Sequence, residues 1–202
     1  MILGITGGVG SGKTTVLKYF QEKYHAEIIE MDQVGKAISS PGQRAYQKII
    51  DTFGSEIKYS YGEEIDRAKL SKLVFQDKKK LEQLNQIIHP LVKEFVLEKI
   101  KEARQKNKFL ILESAILFEA GYETLCDFIC YIYADETVRY QRLLESRGYT
   151  EEKTKNIIKN QKSVAYYKEH CDFIFDNSQT KETTYQQIDL FMKQHNLKES
   201  VE

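Results

Sequence analysis

Gly4-Ile5-Thr6-Gly7-Gly8-Val9-Gly10-Ser11-Gly12-Lys13-Thr14-Thr15 is the stretch that decides the fold. From Gly7 to Thr14 it carries the phosphate-loop pattern G-x-x-x-x-G-K-[ST]. Met1-Ile2-Leu3-Gly4-Ile5 ahead of it reads as a short buried strand, and Val16, Leu17, Phe20 and Tyr24 behind it recur at helical spacing. Strand, glycine loop and helix in that order suit the chemistry. Glycines let successive N–H groups turn inward, and the helix start adds partial positive charge. Gly8, Val9, Gly10, Ser11, Gly12, Lys13, Thr14 and Thr15 are therefore the expected nucleotide-binding residues. Lys13 would reach the β- and γ-phosphates, and the Thr14 hydroxyl would ligate Mg²⁺. The chain binds a nucleoside triphosphate on this reading.

With 202 residues the chain can bury a sizeable core, and one α/β unit with insertions is expected. Thirty basic and thirty acidic residues cancel, so no global field recruits nucleic acid or a membrane. No apolar run approaches a membrane span, and Met1 already belongs to the first strand, so no signal peptide is expected. Cys126, Cys130 and Cys171 form no C-x-x-C pair and read as reduced, mostly buried thiols of a cytoplasmic protein.

Further along, Ala26-Glu27-Ile28-Ile29-Glu30-Met31 reads as a second strand ending at Asp32. Ligands of parallel α/β sheets sit beyond the carboxyl ends of the strands, where Asp32 can take a proton from an attacking hydroxyl. It can equally be the N-cap of a helix beginning at Gln33. Pro41-Gly42 breaks the chain, and residues 43 to 108 show helical patterns, the clearest carrying Leu81, Leu84, Ile87, Ile88, Leu91, Val92, Phe95, Val96 and Ile100 on one face. Pro90 starts, kinks or splits that pattern. His89 within it is either a packed or capping histidine or a substrate contact, the first being commoner. Phe109-Leu110-Ile111-Leu112-Glu113 is a hydrophobic run ending in an acid, which either faces Mg²⁺ or merely ends a strand. Phe128 to Tyr133 and Phe173 to Phe175 are the fourth and fifth strands. Residues 139 to 170 between them hold Arg139, Arg142, Arg147 and an excess of four positive charges, fit for a lid over phosphates or for a solvated helical face. The last helix, with Tyr185, Ile188, Phe191 and Met192, should pack on the sheet, and the chain should fray from about Lys198.

Three classes use such a loop: small-molecule kinases, GTPase switches, and mechanical or transport ATPases. Asp32-Gln33-Val34-Gly35 matches a switch D-x-x-G, yet it follows Lys13 by only nineteen residues and no N-K-x-D motif accompanies it. No partner-coupling apparatus is visible for an ATPase. Kinase is the reading retained, with a nucleotide-binding regulator that lacks turnover as the non-enzymatic competitor.

The chain resembles the dephospho-coenzyme A kinases. The resemblance rests on the opening loop, Ile28-Ile29-Glu30-Met31-Asp32, Pro41-Gly42, Phe53-Gly54-Ser55-Glu56-Ile57, Ile65-Asp66-Arg67, Val74-Phe75 and Leu84-Asn85-Gln86-Ile87-Ile88-His89-Pro90. It continues through Ile116-Leu117-Phe118-Glu119, Arg142-Leu143, Gln161 and Asp176-Asn177. It implies a three-layer P-loop NTPase fold of α/β class: a five-stranded parallel sheet, a helical acceptor-binding insertion and a lid. The expected divisions are a core of residues 1–35, 108–138 and 171–197, an insertion of 36–107 and a lid of 139–170. The implied reaction moves the γ-phosphoryl group of ATP to the ribose 3′-hydroxyl of dephospho-coenzyme A, with Mg²⁺. A nucleoside or nucleoside-monophosphate kinase is the alternative. By position Asp32 matches the general base, Lys13 and Thr14 the phosphate and metal ligands, and Arg142 a lid arginine. Thr6 falls near the reacting phosphates, Arg67 and His89 in the acceptor pocket, and Asn177 beside adenine. The expected partner is the small-molecule substrate, without nucleic acid or membrane, for a monomer or weak homo-oligomer.

Departures are also visible. Glu30 and Glu113 stand where the family often has aspartate, Ile157 where a lid arginine is common, and Arg147 one place late. Glu113 keeps the charge on a stem one methylene longer.

Overall fold

The structure, a computed structural model, describes residues 1–147, 150–159 and 161–195, with the backbone alone at 146, 147, 153 and 157. The Arg147 and Ile157 side chains and the segment from Lys198 thus lie outside the described residues.

One sheet contains β1 (Ile2–Gly7), β2 (Glu27–Glu30), β3 (Leu110–Glu113), β4 (Phe128–Tyr133) and β5 (Phe173–Asp176), in the order β2-β3-β1-β4-β5. The helices among the described residues are α1 (Lys13–Tyr24), α2 (Met31–Ile38), α3 (Tyr46–Phe53), α4 (Arg67–Phe75), α5 (Lys78–Gln105), α6 (Glu136–Arg147), α7 (Glu151–Lys159), α8 (Val164–His170) and α9 (Lys181–Gln194). β1 pairs in parallel with β3, Ile5 opposite Glu113, and with β4, Gly7 opposite Ile132; β4 pairs in parallel with β5. The chain visits one side of β1 before crossing to the other. That reversal opens a crevice at the carboxyl end of β1, where the glycine loop begins. The parallel five-stranded sheet implied by the resemblance is present.

The chain divides into two compact units, Met1–Ile28 with Ala103–Glu202, and Ile29–Glu102. In the first, Leu3, Ile5, Ile111, Cys130, Ile132 and Phe175 pack against Val16, Leu17 and Phe20 of α1 and Ile188, Phe191 and Met192 of α9. The alternate strand residues Ile2, Leu110, Leu112 and Tyr131 are buried as well, and Tyr131 stacks on Tyr167 of α8 at 4.2 Å between ring centres. Burial on both faces explains why these strands read as unbroken apolar runs. Carboxylates secure the strand starts: Asp127 accepts from the Ile2 N–H and Asp172 from the Ile129 N–H, each at 2.7 Å. Of the three free thiols only Cys130 is fully buried. Burial still pushes Cys126 and Cys171 up to about 12.

The second unit has its own core, formed by Ala45, Tyr46, Ile49, Phe53, Ile57, Ile65, Leu70 and Val74, with Leu81, Leu84, Ile87, Ile88 and Leu91 of α5 packed against it. α5 runs through Pro90 as one 28-residue helix. The missing N–H there forfeits a single ladder bond, and the apolar stripe ending in buried Val92, Val96 and Ile100 carries the helix across it. The strand-to-helix junction differs from the sequence reading. β2 stops at Glu30, which is the N-cap of α2, and Met31 is already helical and buried. Asp32 therefore ends no strand and caps no helix. It stands exposed on the first turn of α2, where a carboxylate meets the positive end of the helix.

Ile132 is fully buried in the first core. Ile132→Ala should cost about 2–5 kcal/mol in urea unfolding followed by circular dichroism. Ile116→Ala, at an exposed position, should stay within about 0.5 kcal/mol.

Candidate functional site

The loop closes on itself through the Ser11 N–H, which donates to the Gly8 carbonyl at 3.1 Å. Gly10 and Gly12 take φ of 84° and 87°, a left-handed geometry that turns neighbouring N–H groups to one side. Gly12 is also the N-cap of α1, and no side chain caps the helix. A serine or aspartate in that place would occupy the first-turn N–H groups. Glycine leaves the helix start open to an anion. Thr14 is exposed on that first turn and Thr15 is half-buried.

Lys13 folds back along the loop. Its Nζ donates to the Gly7 carbonyl at 2.8 Å and lies 3.6 Å from Glu113 Oε1. Glu113 closes β3 and is buried, placed there by its pairing with Ile5 one residue before Thr6. Thr6 and Ser11 are buried too, and neither hydroxyl finds a hydrogen-bond partner among the described residues. Buried hydroxyls left unpaired are costly, and two at one loop mark where a ligand oxygen can complete the bonding. The oxygen donors at hand, the Glu113 carboxylate and the Thr14 hydroxyl, suit a hard divalent cation that takes the rest of its shell from water and phosphate. Among the described residues no group of three His, Cys, Asp or Glu side chains is set to hold a metal.

Asn177, just after β5, has both ends of its side chain engaged by protein. Nδ2 donates to the Ser11 carbonyl at 2.7 Å, and Oδ1 accepts from Thr184 Oγ1 at 3.0 Å. Its backbone carbonyl accepts from Arg142 Nη2 at 2.9 Å. On the same face of α6, Arg139 Nε donates to the Val9 carbonyl at 3.0 Å. The first unit thus brings together Thr6, the loop, Glu113, Arg142 and Asn177. Thr184 escaped the sequence reading, and Arg139 was visible there only as one lid charge among several. The three-residue spacing of Arg139 and Arg142 was the available signal, since it puts both on one helix face.

The remaining candidates belong to the second unit. Arg67, first residue of α4, donates from Nη2 to the Lys36 carbonyl at 3.0 Å, which ties it to the helix that carries Asp32. His89 is half-buried in α5, and burial holds its pKa below the ordinary imidazole value, so the ring is neutral at pH 7. Among the described residues no hydrogen bond joins His89 to Asp32 or Arg67.

Residues 1–182 match the family model for dephospho-CoA kinase. The chain belongs to the dephospho-CoA kinase family. A dephospho-CoA kinase of Enterococcus faecalis is 35% identical over 193 residues, covering 96% of each chain. One of Carboxydothermus hydrogenoformans is 39% identical over 188 residues, 93% of this chain and 90% of that one. The solved structure of a dephospho-CoA kinase from Campylobacter jejuni shares the fold, with a TM-score of 0.70 at 21% identity over 96% of this chain and 98% of that one. The resemblance carried by the quoted motifs is therefore borne out across nearly the whole chain. In this family member the glycine loop is held by an asparagine and an arginine from outside the motif, and a second arginine rests on that asparagine.

Gly12→Ala combines left-handed strain with a collision against Asn177 Nδ2. It should lower nucleotide affinity at least tenfold in calorimetric titration and lower the melting temperature. Gly42→Ala carries a similar φ of 79° with open space around it. It should cost only about 1–2 kcal/mol of strain and leave nucleotide affinity unchanged.

Proposed function

We propose that this chain transfers the γ-phosphoryl group of ATP to the 3′-hydroxyl of dephospho-coenzyme A, giving coenzyme A and ADP. The observation that carries the reading is the family match over residues 1–182. The loop geometry supports the donor half. An uncapped helix start, the Lys13 ammonium and two unpaired buried hydroxyls all belong to the segment from Thr6 to Lys13.

Phosphoryl transfer asks a protein chiefly to position reactants and to offset charge on the equatorial oxygens. On this reading Gly8 to Thr15 grip the phosphates, and Lys13 exchanges its bond to Gly7 for the β- and γ-oxygens. Arg142, anchored on the Asn177 carbonyl, stabilises charge that grows during transfer. Asn177 serves the nucleotide through the Ser11 backbone and through Arg142. Thr6 offers its hydroxyl beside the reacting phosphates. Thr14 and Glu113 would hold Mg²⁺, which when bound draws charge from the phosphoryl oxygens. Asp32 accepts the proton of the ribose hydroxyl, a role supported by its exposed carboxylate on the first turn of the helix that follows β2. Arg67 and His89 bind the acceptor, His89 as a neutral imidazole. The reading makes the chain a cytoplasmic enzyme with small-molecule partners. No helix among the described residues is long and apolar enough to cross a membrane.

The test is ADP release with dephospho-coenzyme A against a panel of nucleosides and nucleoside monophosphates. Turnover with dephospho-coenzyme A alone is expected. Activity only with the panel would transfer the chain to the nucleoside kinases, and ATP binding without any turnover would make it a regulator. Lys13→Ala should abolish turnover and weaken ATP binding. Asp32→Asn should lower kcat by about 10²–10⁴-fold at nearly unchanged ATP affinity; near-normal turnover would remove Asp32 from the mechanism. Arg142→Ala should lower kcat more than it raises either KM, and a change in KM alone would leave it a binding role only.

A further inference from the structure

Arg139 is a buried cation, 7% exposed, on the inner face of α6. Its guanidinium donates to neutral oxygens, the Val9 carbonyl and Gln161 Oε1. Among the described residues no carboxylate lies within ion-pair distance of it. A guanidinium withdrawn from water needs opposite charge nearby, because neutral acceptors offset only part of its lost hydration. Arg142, three residues further along the same helix, adds a second positive charge held through Asn177.

Gly8 reports how closely the guanidinium approaches. A Cβ built on Gly8 would lie 2.6 Å from Arg139 Nη2, 2.8 Å from its Cζ and 2.5 Å from Gln161 Oε1. Gly8 is not among the glycines with positive φ. Its backbone would accept a side chain, but one there would have to displace the ends of Arg139 and Gln161. The guanidinium thus lies directly against the bare backbone of the loop at Gly8.

We propose that the countercharge of Arg139 is the polyphosphate of the donor nucleotide. Arg139 is a second phosphate-contacting cation besides Lys13, and Gln161 is the positioning residue that fixes the outer edge of its guanidinium. Protein groups alone set its orientation, so the charge stands on the loop without any closing motion, as preorganised electrostatic stabilisation requires. This inference rests on the reading of the loop as an ATP site and adds a residue to it.

Calorimetric titration of the full chain and of Arg139→Met, Arg139→Lys and Gln161→Ala with ATP, inorganic tripolyphosphate and AMP tests the proposal, alongside melting without ligand. Arg139→Met should melt no lower than the parent, because it removes an uncompensated buried charge. Its affinity for ATP and for tripolyphosphate should fall at least tenfold, with AMP affinity within twofold. Arg139→Lys should recover part of that loss, and Gln161→Ala should show a smaller loss of the same pattern. If Arg139→Met does not fold, Arg139→Gln replaces it under the same affinity thresholds. A lower melting temperature with tripolyphosphate affinity within twofold of the parent would overturn the proposal and leave Arg139 with no role beyond bracing the loop. Failure of the parent chain to bind ATP would overturn the loop reading and this inference together.

Discussion

The Lys13 ammonium ties together the parts on which the site depends. It leaves the first turn of α1, donates to the carbonyl of Gly7 where β1 becomes the loop, and stands 3.6 Å from the carboxylate that ends β3. Strand, loop, helix and neighbouring strand meet at one charge. Both partners are largely shielded from water, with side chains 16% and 10% exposed. Removing either would take an opposite charge away from the other in a place that water reaches poorly. The pairing needs Glu113 at the carboxyl edge of the sheet, which the parallel register of β1 and β3 delivers. On the proposed function, a phosphate tail entering the loop would compete with Glu113 and Gly7 for the same ammonium, exchanging one set of polar partners for another.

Around that centre the loop is held from outside as well as from within. Asn177 grips the Ser11 carbonyl, Arg139 grips that of Val9, and Arg142 rests on Asn177. Each bracing group comes from the second half of the chain, so the glycine loop owes its shape to β5, α6 and α9 as much as to its own residues. The arrangement also gathers positive charge at one edge of a chain whose formal net charge is zero. The positive character of the loop is therefore local, contributed by three cationic side chains and a helix start.

Much of this could be read directly from the residues. The loop motif, the apolar runs of the strands and the helical stripe of α9 follow from local periodicity, and tertiary structure did not override them. Other features depend on contacts no local pattern encodes. Asn177 and Ser11 are 166 positions apart, and nothing in Asp176-Asn177 announces that the amide would be spent on the loop. Arg139 looked like any other charge of a basic stretch until burial set it apart. The start of α2 differs from the sequence expectation because Met31 fits either a strand or a helix, and the chain passes from β2 into the helix without a loop. Pro90 carried a strong local signal for a break, yet the long apolar stripe of α5 outweighed one missing hydrogen bond.

The most direct measurement is the fate of the transferred group. Phosphorus NMR of the chain incubated with ATP, Mg²⁺ and dephospho-coenzyme A should show ADP and a new phosphomonoester on the ribose 3′-oxygen in equal amounts. Phosphate released to water, or a monoester appearing only when a nucleoside or nucleotide acceptor is supplied, would contradict the account.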